Sequence, residues 1–316
     1  MKILVTGGAG FIGSHTCEQL LAAEHRVVAL DNFDRSYSPK LKRRNVATAL
    51  LNPNYKLIDC DYGDRLTVSK LLEVEKFDAV LHLAAQVGAR PSVYDPLKYE
   101  RVNVGNLISL LEAMRQYGPK KIVAVSSSSV YGNVTPMPFQ EDAACLQPLS
   151  PYGATKRAAE IFLRTYHTLY DFKVILARPF TVYGPRQRPD MAIASFARML
   201  LMNETITLFW DGTSAHDYIY VTDIVKALIN ALETFPVDFG IYNLGSGASV
   251  SLSDLMAQLE QLTGKQARIE RQSMQPGDVE RTCADISKAR QYLAFEPAVK
   301  FAEGLRKTVD WARQEL

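Results

Sequence analysis

No apolar stretch in this chain approaches the roughly 20 residues needed to cross a bilayer, so no membrane span is expected. An excess of either charge is also missing. Thirty-six Lys and Arg stand against 34 Asp and Glu, and a formal net charge of +2 gives no general pull toward nucleic acid or anionic membrane. The one basic cluster, "KLKRR" at 40–44, reads as a solvated helix face. Cysteine is scarce: Cys17, Cys60, Cys145 and Cys283 are widely spaced, with no C-x-x-C pair and no His in ligand register. That excludes a structural zinc site and favours a reduced, cytoplasmic chain without metal. Ahead of the first glycines there is only "ILV", so no signal-peptide core is expected. Internal repeats and low-complexity tracts are lacking as well.

What is there is apolar and alternating. At 316 residues, 47% of them apolar, the chain can bury one large core or two modest ones. "KILVT" (2–6), "RVVALD" (26–31), "YKLID", "DAVLHLAA", "KKIVAVS" and "FKVILARP" are β-rich runs separated by helical segments. Continuous apolar strands between helices predict a Rossmann-type, doubly wound parallel sheet covered on both faces. After about residue 180 the rhythm loosens. The expected division is a nucleotide-binding domain over 1–180 and a smaller α/β lobe over 181–316. Residues 217–249, with "GIYNLG" at 240–245, are expected to return to the first domain.

The first turn has a chemical meaning. "TGGAGFIGS" sets Gly7, Gly10 and Gly13 between the first strand and the first helix, with Phe11 and Ile12 opening that helix. Glycines let the backbone approach a pyrophosphate, and the helix N-terminus adds N–H donors and the positive end of its dipole. Asp31 closes the second strand 18 residues after Gly13, with Asn32 next. A carboxylate there accepts from both ribose hydroxyls and repels a 2′-phosphate, which favours NAD over NADP. Asp61 and Tyr62, after the third strand, are expected at the adenine edge. Leu83, Ala84, Ala85 and Gln86, after the fourth, are expected beside the cofactor's sugars. His82 reads as a packed strand histidine.

Three Tyr-x-x-x-Lys pairs occur: Tyr94/Lys98, Tyr117/Lys121 and Tyr152/Lys156. Pro96 interrupts the first and Gly118-Pro119 the second, so only the third lies in a regular helical pattern. There Ser150 suits the N-cap, Pro151 the first helical position, and i,i+4 spacing puts both side chains on one face. A phenol with its ordinary pKa near 10 is a poor base, and a nearby ammonium would stabilise the phenolate. Gly153 and Ala154, both small, are expected to leave room beside the helix for cofactor and substrate.

Together "TGGAGFIGS", "DNF", "HLAAQ", "SSSSVYG", "SPYGATK" and "ARPFTVYGPRQRP" resemble the extended short-chain dehydrogenase/reductase family, in order and spacing, over nearly the whole chain. The resemblance implies catalytic roles for Tyr152 and Lys156, and for Ser127, four residues before the Tyr of "VYG". It also places Pro179 at the cofactor and implies a homodimer pairing the helices around 98–117 and 150–170.

The motif after Ser127 narrows the chemistry. Related dehydratases carry an Asp-Glu pair there to eliminate water, and related decarboxylases a nearby Glu; this chain has Ser128 and Ser129. What remains is reversible oxidation at a sugar carbon, an NAD-dependent 4-epimerisation. "TVYGPRQRPDMA" (181–192), "MQPGDVERTCAD" (274–285) and "DNFDRSYSPKLKRR" look like motifs of the UDP-glucuronate 4-epimerases. That resemblance implies a UDP-sugar substrate met by Val87, Arg90, Ser128, Ser129, Thr181, Arg186, Arg188, Met191, His216, Arg271 and Asp278. Arg186 or Arg188 would fork onto the sugar carboxylate. His216 departs from the family, whose Arg at that place meets a substrate phosphate; Lys42 or Arg271 would then have to compensate. UDP-glucose or UDP-N-acetylglucosamine 4-epimerase is the alternative enzyme. A non-catalytic NAD(H)-sensing module is the alternative class, opposed by the intact Ser127, Tyr152 and Lys156.

Overall fold

The computed structural model describes residues 1–209, 214–273, 277 and 279–315. Its first half alternates strand and helix: β1 (Lys2–Thr6), α1 (Phe11–Ala22), β2 (Arg26–Asp31), α2 (Pro39–Asn45), β3 (Tyr55–Asp59), α3 (Arg65–Glu75) and β4 (Ala79–His82). Two short helices, α4 (Ala89–Tyr94) and α5 (Pro96–Glu100), lead through a π-turn into α6 (Asn106–Tyr117) and β5 (Lys121–Val125). Next come α7 (Pro151–Tyr170), β6 (Lys173–Pro179) and β7 (Thr181–Tyr183). The remainder holds α8 (Ala192–Leu201), β8 (Thr205–Phe209), β9 (Ala215–Tyr220), α9 (Val221–Thr234), β10 (Phe239–Leu244) and β11 (Ser249–Ser251). It ends with α10 (Leu252–Thr263), β12 (Arg268–Gln272), α11 (Ser287–Leu293) and α12 (Phe301–Gln314).

Seven strands form one parallel sheet in the order β10-β6-β5-β4-β1-β2-β3. Side chains alternate across a strand, so each face needs its own cover. Ile3 and Val5 of β1 join one apolar cluster and Leu4 joins the other. Such a doubly covered sheet requires the near-continuous apolar runs the sequence carries. The chain winds outward through β2 and β3, then restarts at β4 on the other side of β1. At that switch point the strand ends diverge and open a crevice.

β10 takes the far edge of this sheet beside β6, while β9 lies outside it with β7 and β11. The segment expected to return to the first domain is therefore shared: β10 joins the large sheet and β9 the small one. β8 and β12 pair as a separate two-stranded ribbon. No helix of the described residues is long and apolar enough to cross a membrane.

The other two Tyr-x-x-x-Lys pairs are broken as their prolines and glycine require. Tyr94 ends α4 and Lys98 lies in α5, while Tyr117 ends α6 and Lys121 begins β5.

Candidate active site

A cavity of about 390 Å³ opens at the switch point. Gly7, Gly10, Phe11, Ile12 and Gly13 form its floor, and Asp31, Asn32, Lys42 and Tyr62 line one end. Leu83, Ala84, Ala85, Gln86 and Val87 form a wall. Ser127, Ser128, Ser129, Tyr152, Lys156, Pro179, Thr181, Arg188 and Met191 line the remainder.

The floor suits a dinucleotide for stated reasons. A Cβ on Gly13 would stand 2.1 Å from the Gly7 carbonyl oxygen, so any side chain there would separate the turn from the helix. Gly10 caps α1 without a side-chain hydrogen bond, which leaves the first helical N–H groups to a ligand. The Asp31 carboxylate is buried, accepts from Ala9 N at 3.1 Å and Phe33 N at 2.8 Å, and faces the cavity. These residues fit NAD.

Lys42 is not the solvated lysine its basic cluster suggests. Its ammonium is buried, 3.6 Å from Asp31, which commits it to the cofactor end and removes it as a stand-in for the family's phosphate arginine. Asp61 sits between Cys60 and Tyr62, which line the cavity, and is itself outside the lining. It accepts from Gly63 N, Asn32 Nδ2 and Asn106 Nδ2, and so braces the loop after β3.

Ser150 caps α7 by accepting from Gly153 N, and Pro151 holds the first turn. Tyr152 and Lys156 thereby face the cavity one turn apart. Gly153 is small for a different reason than expected. Its Cβ would stand 2.5 Å from the Ser129 carbonyl oxygen, so the space belongs to the serine turn, while Ala154 is exposed. Ser127 begins that turn, accepting from Ser129 N and donating to Ser129 Oγ, both at 3.1 Å.

Burial raises the Tyr152 phenol above its ordinary pKa, opposed by hydrogen bonding to Ser127 and by the charge of Arg188. Lys156 donates to the Val125 carbonyl oxygen at 2.8 Å, and burial brings it down to about 8 despite the neighbouring Glu160. His82 is a packed histidine, bonded through Nδ1 to Thr6 Oγ1 at 2.8 Å. Burial, then the charge of Lys156, brings it down to about 3, so it stays neutral.

Several groups that hold these side chains escaped the sequence reading. Glu160, one turn beyond Lys156, receives Arg178 Nε and Nη2 at 2.8 Å each and Ser126 Oγ at 2.6 Å. Burial alone would raise its carboxyl, but those donors hold it below the ordinary value. This cluster ties α7, the end of β5 and β6 together beneath the cavity. Asn103 pins the wall by accepting from Gln86 N and donating to the Gln86 carbonyl oxygen and Thr155 Oγ1. Ser92 Oγ accepts from Tyr152 N at 3.0 Å.

The two arginines part company. Gly184 to Gln187 make a turn closed by Gln187 N to the Gly184 oxygen, with Pro185 second and Arg186 at φ 65° third, the pattern of a type II turn. Arg186 lies outside the cavity lining and pairs with Glu18 at 2.9 Å. Arg188 lines the cavity, donates to the Val87 carbonyl oxygen at 3.2 Å and forks onto Asp190 at 3.0 and 2.6 Å. Arg90, His216 and Arg271 lie outside the cavity lining; Arg90 stacks its guanidinium 4.0 Å from the centroid of Phe209. Asp278 lies outside the described residues. Among those residues no group of three or more His, Cys, Asp or Glu could hold a metal ion.

A glycine turn, a Tyr/Lys helix and a serine turn meeting at the switch point of a seven-stranded parallel sheet define an extended short-chain dehydrogenase/reductase. The chain belongs to the family whose model is described as GDP-mannose 4,6 dehydratase, matched over residues 4–308. A UDP-glucuronate 4-epimerase of Thermodesulfobacterium geofontis is 39% identical over 314 residues, covering 99% of this chain and 96% of the relative. UDP-glucuronate 4-epimerase 5 of Arabidopsis thaliana is 38% identical over 328 residues, covering 98% and 75%. Among solved structures, Bacillus cereus UDP-glucuronic acid 4-epimerase with UDP-glucuronic acid and NAD superposes with a TM-score of 0.95. It is 38% identical, with 100% of both chains covered. Thermus thermophilus UDP-glucose 4-epimerase with NAD gives 0.90 at 35% identity, again with 100% of both chains covered.

Proposed function

We propose that this chain is an NAD-dependent 4-epimerase of UDP-sugars, acting chiefly on UDP-glucuronate to give UDP-galacturonate. One observation carries the reading: a single cavity joins the dinucleotide turn, the Ser127/Tyr152/Lys156 set and a hydroxyl-rich wall ending in Arg188. The similarity to UDP-glucuronate 4-epimerases supports the choice of sugar.

When bound, NAD accepts a hydride from C4 of the sugar and returns it. Tyr152, as phenolate, takes the C4 hydroxyl proton and later gives it back, with Ser127 hydrogen-bonding the reacting oxygen. Lys156 spends one N–H on the Val125 carbonyl and has two left for the cofactor ribose. No acid follows Ser127, so nothing there eliminates water, and the 4-keto sugar turns to offer its other face.

The carboxylate sets the main demand. Oxidation of glucuronate at C4 gives a β-keto acid, which loses CO₂ when the carboxylate bond aligns with the carbonyl π system. Ser128, Ser129 and Thr181 hold the carboxylate out of that alignment. Arg188 assists from the far side, and because Asp190 already neutralises it, the hydroxyls carry the larger share. Val87 and Met191 pack on the sugar. Arg90, His216, Arg271 and Asp278 belong to the nucleotide end. Residues 1–180 with α9 and β10 form the cofactor domain, α9 packing on α1 beside the large sheet, and the other C-terminal elements form the substrate lobe.

The test is incubation with a panel of UDP-sugars, with products separated and assigned by NMR. UDP-galacturonate with little pentose by-product is expected from UDP-glucuronate, and far slower turnover from UDP-glucose. A higher kcat/KM for UDP-glucose would remove the carboxylate pocket and favour the alternative epimerase. We also propose a cytoplasmic homodimer paired through α6 and α7, where Ile161, Phe162 and Leu169 lie exposed along one helix. Sedimentation as a monomer at micromolar concentration would overturn it.

A further inference from the structure

Arg188 reaches the cavity from a turn that its own neighbours set. Met191 N donates to the Arg188 carbonyl oxygen at 3.1 Å. Pro189 is second in that turn, where its fixed φ presets the bend, and Asp190 is third. Arg188 and Met191, at the two ends, line the cavity, while Asp190 lies outside the lining. The Arg188 side chain is 13% exposed and that of Asp190 47%, so the arginine faces inward and the aspartate faces solvent.

The turn brings the carboxylate along one edge of the guanidinium. Nε donates to Oδ1 at 3.0 Å and Nη2 to Oδ2 at 2.6 Å. Nη1 donates to the Val87 carbonyl oxygen at 3.2 Å, which Tyr99 also holds at 3.1 Å. Three of the five N–H groups are therefore taken and two remain, with the charge behind them already met by Asp190.

Epimerisation makes two demands on whatever meets the sugar carboxylate. The group must be kept out of line with the 4-keto carbonyl, and the ring must still turn before the hydride returns. A free guanidinium beside the sugar would fork onto the carboxylate with two charged hydrogen bonds, fixing one pose and opposing the turn. A guanidinium already forked onto Asp190 offers two donors and little net charge, so it steers the carboxylate without clamping it.

We infer that Asp190 is a positioning residue that withholds the Arg188 fork from the sugar carboxylate, so that the 4-keto ring turns between the two hydride transfers. It acts through Arg188 and not on the substrate.

The inference rests on the proposed turnover of UDP-glucuronate, and the test separates the two. kcat and KM are measured for UDP-glucuronate and UDP-glucose with wild type, Asp190→Asn and Asp190→Glu. Asparagine keeps the size of the side chain and removes its charge, which leaves Arg188 a free cation. The KM of that variant for UDP-glucuronate is expected to fall roughly tenfold, the scale of one hydrogen bond between charged groups. Its kcat should fall as well, because the added grip holds the ground state and not the turning ring. The neutral sugar of UDP-glucose offers the freed guanidinium no anion, so its constants should hold. Asp190→Glu restores the counter-charge and should return both UDP-glucuronate constants toward wild type. Failure of wild type to turn over UDP-glucuronate would remove the proposed function itself. Unchanged UDP-glucuronate constants in Asp190→Asn overturn the role of Asp190. So does an equal change with both sugars, which marks a defect of the fold, or a lower KM with kcat unmoved, which shows that the ring turns with the fork engaged.

Discussion

The Tyr152 end of the molecule and the β8–β12 ribbon hold their charged groups in opposite ways. Beneath Tyr152 the charged groups are buried and fully partnered: Arg178 is 0% and Glu160 2% exposed, and each guanidinium and carboxylate atom in their pair has a fixed neighbour. On the ribbon every residue of β12 is exposed, Arg271 among them. Groups that act on a reacting atom must be preorganised, because a shift of an ångström misaligns proton and hydride transfer together. Groups that hold a solvated nucleotide tail only add affinity, and water screens their errors. The first region should therefore be brittle to substitution and the second forgiving.

The largest break in that contrast comes from Tyr152→Phe. The ring keeps its packing against Tyr99, with centroids 6.2 Å apart, and the backbone bond to Ser92 is untouched. Fold and NAD binding should persist while turnover falls by roughly 10²–10⁴-fold, the usual contribution of an acid–base group. Near-normal kcat would remove Tyr152 as the base.

Glu160→Ala comes next. It leaves Arg178 charged and buried with its main partner gone, and breaking such a pair costs about 3–5 kcal/mol. The sign with pH follows from the depressed carboxyl of Glu160. Its contribution is present above the ordinary Glu range and is lost as pH falls below it. Denaturant titration at neutral pH should therefore show a large loss, and the gap to wild type should narrow in acid. A variant as stable as wild type at neutral pH would show that the pair carries no weight.

These two cases also show what could be read before folding. The apolar runs announced the sheet because a doubly covered strand has no polar face to spare, and the glycine spacing announced the floor because only glycine permits that approach. Glu160 and Arg178 stayed hidden. One sat in a helix and one in "LARP", 18 residues apart, and nothing local marks a buried pair that exists only once α7 lies on β6. Arg186 and Arg188 looked interchangeable, because the φ of 65° that turns one away follows from a turn whose third residue is not glycine.

His216→Arg is the smallest expected effect and tests a third place, the small sheet of β7, β9 and β11. His216 lies half-buried on β9, its ring edge-on to Tyr218 with centroids 6.2 Å apart, outside the lining of the main cavity. A neutral imidazole is a weak partner for a phosphate, whereas a guanidinium forks onto one at any working pH. If His216 meets the substrate diphosphate, the arginine variant should lower the UDP-sugar KM severalfold, by about 1 kcal/mol of added charged hydrogen bonding. Release of radiolabelled NAD after an excess of unlabelled NAD should not move, because His216 does not line the cavity that holds the glycine turn and Asp31. An arginine variant of unchanged KM would place the diphosphate elsewhere. The grip on the nucleotide would then fall to Arg90 and Arg271, and His216 would carry no load.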